Sequence, residues 1–530
     1  MKIDRSPVGI WNEYQRGIDY KNAIDLYDTV EENENFFVGR QWEGVNAPDL
    51  QKPVLNILQR AVAYFVATIC SDDVGTRLTA FKNDDETEKL MRTFSKDIER
   101  IMENDQTKAK FRDIVRNAAV DGDGCMYFYF DPDIKTGQTA EGDVRSEVVE
   151  NINVIFGNPY EQDVQRQPYI IIALRKPVDE VRDEARGHGI EDYEAIVPDS
   201  DENQGERGNG NELCTVLVKI WNEAHRIRAI KTTKNGIVRR EWTTGSSLYP
   251  IAWMSWNKMR KSCHGQAAVT GLIPNQISIN KLFAMLIRSV ELNAFPKIVY
   301  DKRLFANGWN NSVGEAIAVV GDPSQAAVNV LRGGDVSPQV MEVIQTCIAL
   351  TKDCIGATDA ALGNVRTENA AASAIIATQQ ASAAPLELQR RAFFDFVEQT
   401  VRIILDLMGA YYGTRKAIAE PQTEGGEEMT VDYSVIPELI QKIDVSIGSS
   451  AYWSELMQMQ TVDNLMKAGI ITDAVLYLES IPDKWIPNKQ NIIDGIKNAQ
   501  QTDMPEDGGL ANSMEMQMRE NPATYEEMLG

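Results

Sequence analysis

Residues able to do chemistry are sparse in this sequence of 530 residues. Its six cysteines are spread along the chain without a C-x-x-C pair, at Cys70, Cys125, Cys214, Cys263, Cys347 and Cys354. Tetrahedral zinc sites use closely paired ligands, so we expect buried thiols and neither a zinc site nor a disulfide framework. The three histidines, His188, His225 and His264, lie in different local contexts. A general base would therefore have to be a carboxylate, and no pair of carboxylates stands out.

Loops that bind nucleotides or calcium are not supported by the sequence. No G-x-x-x-x-G-K-[S/T] segment occurs, which excludes a P-loop. Asp121-x-Asp123-x-Cys125 resembles the opening of a calcium loop, but Met126 stands where that loop needs glycine. We predict a plain turn there, and we expect no catalytic residue, no metal and no cofactor.

The charge balance limits the partners of the chain. Its 54 Lys and Arg residues against 78 Asp and Glu residues give a net charge of −24 at pH 7. Proteins that bind DNA over a broad surface neutralise phosphates with Lys and Arg, so such a protein is excluded. DNA could be contacted only through a local patch, or along a surface that does not hold it.

One segment reverses the sign of the charge. Between Leu213 and Arg240 a single acid, Glu223, accompanies seven basic residues, giving a local +6. The seven are Lys219, Arg226, Arg228, Lys231, Lys234, Arg239 and Arg240. Alternating apolar residues flank Asn235-Gly236, a dipeptide typical of hairpin turns with positive φ. The pattern predicts a small basic β-meander, which is either a solvated face or a contact surface for an acidic partner.

The elements that would position these residues follow from composition and apolar spacing. The chain is 43% hydrophobic and 25% charged, close to soluble globular proteins, and its densest apolar stretch, Ala61 to Cys70, is about half a membrane span. We expect an α+β fold that is predominantly helical, made without a signal segment. Helices are predicted over 11–33, 53–69, 86–119, 177–195, 265–294, 340–355 and from 385, with strands over 76–81, 125–130, 169–174 and 442–447.

The order of these features resembles the portal proteins of tailed bacteriophages, particularly the podovirus-like type. The likeness covers roughly residues 30 to 500. It rests on Phe36-Phe37-x-Gly39-x-Gln41-Trp42, on Pro53-x-x-Asn56-x-x-x-Arg60, on the glycine turn and aromatic strand at 121–130, on Gly265-x(6)-Leu272-Ile273-x-x-Gln276-x-x-x-Asn280, and on Gly356 followed by the Ala-rich run from Ala370 to Gln380.

The resemblance implies a portal-type subunit with wing, stem, clip and small crown regions. These would be the wing at 1–175 and 295–410, the first stem helix at 176–198, the clip at 199–262, the second stem helix at 263–294, crown-like helices at 430–500 and a flexible tail at 501–530. The second part of the wing would include a tunnel loop at 356–369 and a long Ala-rich helix. The chain departs from the family in its short crown and in lacking a long C-terminal barrel.

The resemblance also implies a function without enzymatic activity. Identical copies, usually twelve, would form a ring at one capsid vertex of the virion, made in the cytoplasm of the host bacterium, and double-stranded DNA would pass through it during packaging and ejection. Expected partners are the terminase large subunit, the head-tail adaptor, and the major capsid and scaffolding proteins, with no membrane. The DNA channel would carry Lys281, Arg288, Lys297, Gly363, Asn364, Arg366 and Asn369. The seven basic residues would form the partner surface of the clip.

Two other functions fit the same sequence. One is a head-completion or scaffold-type structural protein that oligomerises without conducting DNA. The other is a nuclease that uses clustered carboxylates with Mg²⁺, a metal that prefers oxygen ligands. A ring with a central hole distinguishes the first from a portal, and Mg²⁺-dependent plasmid cleavage would indicate the second.

Overall fold

The computed structural model divides the chain into two compact units, Met1–Ser449 and Ser450–Gly530. It describes residues 3–70, 73–80, 85–138, 140–199, 212–294, 297–303, 305, 319–322, 324, 328–331, 338–356, 384–416, 430–436, 443–450, 462, 464–467, 477–478, 489 and 493. The first unit is a mixed α+β structure with several antiparallel sheets. In the second unit, residues 464–467 are helical and Ile493 is buried.

Two helices form the N-terminal polar segment, where the sequence predicts one. They are α1 (Pro7–Ala23) and α2 (Leu26–Val38). Asp25, with a φ of 54°, separates them. A left-handed residue cannot continue a right-handed helix, so the prediction of one helix over 11–33 is wrong.

The charged helix predicted over 86–119 is divided for the same reason. Gln106, also at a φ of 54°, lies between α4 (Asp85–Asn104) and α5 (Thr107–Asp121). Ahead of them, strand β1 (Asp73–Ala80) pairs with β16 (Ile443–Ser450), so both predicted strands are confirmed.

Helix α3 (Ile57–Ile69) is the predicted early core helix, but it begins later than Pro53 suggests. Its N-cap is Asn56, whose side-chain oxygen accepts a hydrogen bond from the backbone N–H of Gln59 at 3.1 Å. An asparagine cap satisfies one of the free N–H groups of the first turn, so the helix starts after Asn56. Leu58, Val62, Phe65 and Ile69 on its inner side are buried.

Two antiparallel sheets form the centre of the first unit. The first has the order β3-β2-β9, with β2 at Asp123–Asp131, β3 at Asp143–Val149 and β9 at Ile251–Ser255. The second is a meander of β4 (Val154–Phe156), β5 (Ile170–Pro177), β6 (Leu213–Glu223), β7 (Arg226–Thr232) and β8 (Ile237–Thr243), in that order across the sheet. The strands predicted at 125–130 and 169–174 and the basic meander are confirmed.

The hairpin at Asn235-Gly236 forms, but its turn differs from the predicted one. Neither residue has a positive φ. The backbone N–H of Thr233 donates to the carbonyl of Gly236 at 2.8 Å, and the N–H of Gly236 donates to Thr233 Oγ1 at 3.1 Å. The threonine hydroxyl supplies the closing contact, so the left-handed conformation that favours Asn-Gly is not needed.

The two faces of the five-stranded sheet pack against different neighbours. Ile171, Leu217 and Trp221 face α1 and pack with its Ile10. The opposite face packs partly on the three-stranded sheet and partly on α6 (Val178–Gly187). Helix α6 ends near the glycines at 187 and 189 that the sequence marks as an interruption of the helix predicted over 177–195.

Three longer helices follow the sheets. They are α7 (Ala268–Ala294), which contains Pro274, α8 (Pro338–Cys354) and α9 (Glu387–Tyr411). Their predicted positions are confirmed, and α7 spans about 40 Å at about 1.5 Å per residue. The short strands β10 (Asn257–Lys258), β11 (Gly265–Gln266), β12 (Lys297–Tyr300), β13 (Val328–Leu331), β14 (Thr414–Lys416) and β15 (Thr430–Asp432) form three two-stranded pairs.

Candidate functional site

The basic strands β6 to β8 do not present all their cations to solvent. Lys219 faces α1 and is fully buried, with its Nζ 2.5 Å from Glu13 Oε2 and donating to the carbonyl of Asp4 at 2.7 Å. Burial lowers the pKa of Lys219, and the Glu13 carboxylate opposes that effect. Lys219 therefore cannot belong to a partner surface, and that part of the prediction is wrong.

Two further cations of the meander are neutralised by carboxylates. Arg228 lies 3.0 Å from Glu223 and 2.5 Å from Glu241, and Lys231 lies 2.6 Å from Glu184 on α6. Glu184 and Glu241 stand outside the segment in which the local charge of +6 was counted. The folded surface is therefore much less positive than the segment.

The remaining four cations have no carboxylate partner among the residues that the structure describes. Arg226 and Arg240 are exposed. Lys234 lies over the ring of Trp11 at 5.6 Å, and the Arg239 guanidinium lies 4.0 Å above Trp242. These four side chains are what the folded meander can offer an acidic partner.

Two of the predicted channel residues lie on α7. Lys281 is exposed and has no ion pair within the described part of the chain, whereas Arg288 is 3.5 Å from Glu291. Glu291 also accepts a hydrogen bond from Gln51 Nε2 at 2.5 Å. Lys281 and Arg288 are seven residues apart, so they share one side of the helix.

The structure describes only one of the five other predicted channel residues. Lys297 is the first residue of β12. Gly363, Asn364, Arg366 and Asn369 lie outside the described residues, together with the rest of 357–383. The tunnel loop and the Ala-rich helix therefore stay predictions.

Three of the thiols are unsuited to nucleophilic chemistry, whereas Cys354 is exposed, so the prediction of buried thiols is wrong at that position. Burial raises the pKa of Cys70 and of Cys263 to about 12 and that of Cys214 to about 11. Because the thiolate is the reactive form, these side chains are inert at neutral pH. Across the described ranges, no group of three or more His, Cys, Asp or Glu side chains is arranged to hold a metal ion.

Asp123 is a buried anchor that the sequence did not reveal. Its Oδ1 accepts from Ser255 Oγ at 2.7 Å and from the Gly265 N–H at 2.8 Å, and its Oδ2 lies 2.9 Å from His264 Nδ1. This carboxylate joins β2, β9 and the loop before α7. It is fully used within the fold, which supports the prediction of a structural turn at 121–124.

A cleft of about 610 Å³ is a feature that sequence reasoning missed. It lies between the two central sheets, with α6 and α9 also contributing to its walls. Aromatic side chains form part of the lining, at Tyr127, Tyr129, Phe130, Trp242 and Tyr411. The aromatic strand at 125–130 was visible in the sequence, but its position opposite β8 depends on long-range packing.

Comparison with known families decides among the functions left open by this geometry. A family model described as Phage P22-like portal protein matches residues 201–528, more than half of the chain. The chain belongs to this family. No match was found among curated proteins.

Membership of the portal family confirms the resemblance drawn from the order of sequence features. Portal proteins are generally structural and non-enzymatic, and the family implies an oligomeric ring, passage of DNA and a place at a vertex of the virion. Among the helices that the structure describes, none is long and apolar enough to cross a membrane.

Proposed function

We propose that the chain forms the portal channel of a phage capsid, a ring of about twelve copies in the closed, head-to-tail symmetry that such rings use. Double-stranded DNA passes through this channel during packaging and again during ejection. The ring first docks the terminase large subunit and later the head-tail adaptor, within a shell of major capsid and scaffolding proteins. The family match over 201–528 is the observation that carries this proposal.

The proposed regions follow the chain order. The wing comprises 1–175 and 295–410, the crown-like helices 430–500 and the tail 501–530. Helix α7 is the main stem element, and α6, only ten residues long, is the helical part of the first stem segment at 176–198. The clip at 199–262 contains β6 to β8, with Arg226, Lys234, Arg239 and Arg240 as its available cations.

The channel is proposed to repel DNA along most of its length. Each copy carries −24, while duplex DNA carries about one negative charge per 1.7 Å, so a ring of many copies attracts it only at local basic positions. Lys281 and Arg288 on α7, with Lys297, Arg366 and the loop residues Gly363, Asn364 and Asn369, are the proposed positions. They would centre the duplex without trapping it.

Duplex affinity as a function of salt tests this electrostatic proposal. Anisotropy of a labelled duplex with the assembled ring, at about 50 and 200 mM salt, is expected to give weak binding with a shallow salt dependence. A chain that gripped phosphates with many cations would instead lose about a thousandfold in affinity over that range. Tight binding with such a slope contradicts a low-friction channel.

Two measurements distinguish the proposal from the alternatives. Negative-stain images of the oligomer show a central hole for a portal and none for a non-conducting head-completion protein. Plasmid cleavage assayed with and without Mg²⁺ is expected to be absent, because among the described residues no group of three or more His, Cys, Asp or Glu side chains is arranged to hold a metal ion.

A further inference from the structure

The cleft between the two central sheets has a wall of paired aromatic rings. Phe130 and Tyr411 are stacked at 4.5 Å with an interplanar angle of 3°, and Tyr127 and Tyr129 are stacked at 5.9 Å. The floor is apolar and includes Val218, Ile220 and Ala229. A volume of about 610 Å³ is in the range of sites that enclose a ligand or several side chains.

Among the described residues, the cleft also holds one cation without an ion pair, Arg239, and an acid, Glu147, which lies opposite Tyr127 on the neighbouring strand. Arg239 projects from β8 over Trp242, and no carboxylate among the described residues pairs with it. Arg239, Tyr127 and Tyr411 all line the cleft, where burial raises the pKa of both tyrosines and the Arg239 charge opposes that rise. Neither tyrosine hydroxyl has a hydrogen-bond partner in the described part of the chain.

The Arg239 guanidinium and the hydroxyls of Tyr127 and Tyr411 are hydrogen-bond donors, and together they suit one kind of chemical group. An arginine with neighbouring hydroxyls binds a carboxylate well, and the aromatic wall favours a ring beside it. The other two cations of the cleft are already neutralised, since Lys231 pairs with Glu184 at 2.6 Å and Lys176 with Glu180 at 2.8 Å. The fitting occupant is therefore an aromatic side chain adjacent to an acid.

The same protein displays that pair on an exposed loop. Tyr160, which follows β4, is 66% exposed, and the next residue, Glu161, has no cationic partner among the described residues. Buried Gln167 holds the loop by donating to the carbonyls of Asn158 at 3.0 Å and Glu161 at 2.9 Å. A loop held in this way loses little entropy when it docks.

Other exposed apolar residues fit the cleft less well. Leu388 is 75% exposed and follows Glu387, but that carboxylate is already paired with Arg391 at 3.3 Å. Tyrosine is also enriched among the residues that dominate binding energies at interfaces, whereas leucine is under-represented. Tyr160 and Glu161 are therefore the better complement to the cleft.

The order of strands in the five-stranded sheet places the loop with Tyr160 at the edge opposite the strand that carries Arg239 in the same copy. β4, which leads to Tyr160, and β8, which carries Arg239 and Trp242, are the opposite edges of the five-stranded sheet, about 19 Å apart at about 4.8 Å per strand. A closed ring of identical copies needs two complementary surfaces on different sides of each copy. We propose that Tyr160 and Glu161 of one copy dock in the Arg239 cleft of the next. This inference rests on the proposed ring.

Charge reversal tests the contact in the full-length chain. The concentration at which rings form is measured by mass photometry for wild type, Glu161→Arg, Arg239→Glu and the combined variant. Each single variant is expected to raise this concentration about tenfold or more, because it places like charges together at an interface. The combined variant is expected to return to within about threefold of wild type, because the pair is restored with reversed signs.

Lys302→Glu is the charge-reversal control, since Lys302 is exposed and lies outside the cleft lining and the proposed clip and channel residues. It is expected to shift assembly by less than about threefold. A second measurement does not depend on stability: Tyr160→Cys with Thr244→Cys, in a Cys354→Ser background, should give a ladder of oxidised multimers only when both new cysteines are present.

The outcomes separate this contact from the ring itself. If wild type forms rings and Arg239→Glu assembles at the same concentration, the docking inference is overturned and the proposed function stands. The same holds if the combined variant does not recover wild-type assembly. Absence of the ladder in assembled rings also overturns it. A wild-type chain that stays monomeric at every concentration contradicts the proposed function and the contact together.

Discussion

At the residue scale, buried charges in this protein join elements that are distant in sequence. The Nζ of Lys21 on α1 donates to the carbonyls of Asn151 at 2.8 Å, Ile152 at 2.8 Å and Val154 at 2.7 Å. Lys21 is 2% exposed, and burial lowers its pKa from 10.5 to about 7. The three carbonyls accept hydrogen bonds from the ammonium group, but these bonds do not fully replace the hydration that the group has in the unfolded chain.

Lys21→Met is expected to change how stability depends on pH. Between about pH 7 and 10 the unfolded chain holds a proton on Lys21 that the folded chain has lost, so this residue makes the free energy of unfolding rise with pH in that window. Below about pH 7 both states are protonated and the contribution is flat. Urea unfolding at pH 7, 8 and 9 should show a smaller rise for Lys21→Met than for wild type. Exposed Lys302→Met serves as the control, and an equal slope in Lys21→Met would refute the assignment.

Asp123→Ala is expected to be strongly destabilising. The change removes the acceptor for Ser255 Oγ and the Gly265 N–H and the partner of His264, leaving polar groups buried without their bonds. A loss of about 2–4 kcal/mol in the free energy of unfolding is expected, measured by chemical denaturation. Asp133→Ala, at an exposed position beyond the other end of β2, should change it by less than about 0.5 kcal/mol. Equal effects of the two changes would show that the Asp123 contacts contribute little.

The sequence predicted which cations lie in the meander, but it did not predict the carboxylates with which they pair. The cations of the meander were recognised, but Lys219 was assigned to the surface because its acid, Glu13, lies on α1, far away in sequence. Strand alternation predicts that successive side chains face opposite sides, yet it does not tell which side is covered. Only the position of α1, which covers one face of the sheet, shows that Lys219 is buried.

At the element scale, a close approach of two backbones fixes the start of β2. Gly122 has a φ of +96°, and a Cβ there would lie 2.5 Å from the carbonyl oxygen of Gly265 in β11. Only glycine combines this conformation with this contact. The Asp-Gly-Asp-Gly turn thus positions both Asp123 and the entry to α7.

Gly122→Ala should therefore cost more than about 2 kcal/mol in the free energy of unfolding, from the conformational penalty together with the clash. Gly187→Ala is the matched change, because Gly187 lies in α6 with open space around it and without a positive φ. It is expected to stabilise the protein by about 0.4–1 kcal/mol. Thermal unfolding of both variants measures the difference, and a tolerated Gly122→Ala would contradict the proposed constraint.

The elements themselves were predictable where their signal is local. Continuous aromatic and apolar runs gave β2 and β5, alternating apolar residues gave the meander of β6 to β8, and the apolar stripes gave α3 and α9. The breaks at Asp25 and Gln106 were not visible, because a non-glycine residue adopts the left-handed conformation only when surrounding packing stabilises it. The cleft and the Asp123 anchor depend on the pairing of β2 with β9, which no local pattern encodes.

At the scale of the whole molecule, the acidic net charge and the proposed ring both agree with a conduit for DNA. The chain is strongly acidic overall, and several cations of the basic segment at 213–240 are neutralised on folding. A protein of this kind does not grip DNA over a broad surface, which agrees with a conduit. Family membership implies the ring, and the contact proposed between Tyr160 and Glu161 of one copy and the Arg239 cleft of the next would help to close it.

Cryo-electron microscopy of the purified full-length chain tests the central claim most directly. The account predicts identical copies side by side around an axial opening that admits a DNA duplex, with α7 in the stem. Particles that remain single copies, or that close into a solid disc without an opening, would contradict a channel for DNA.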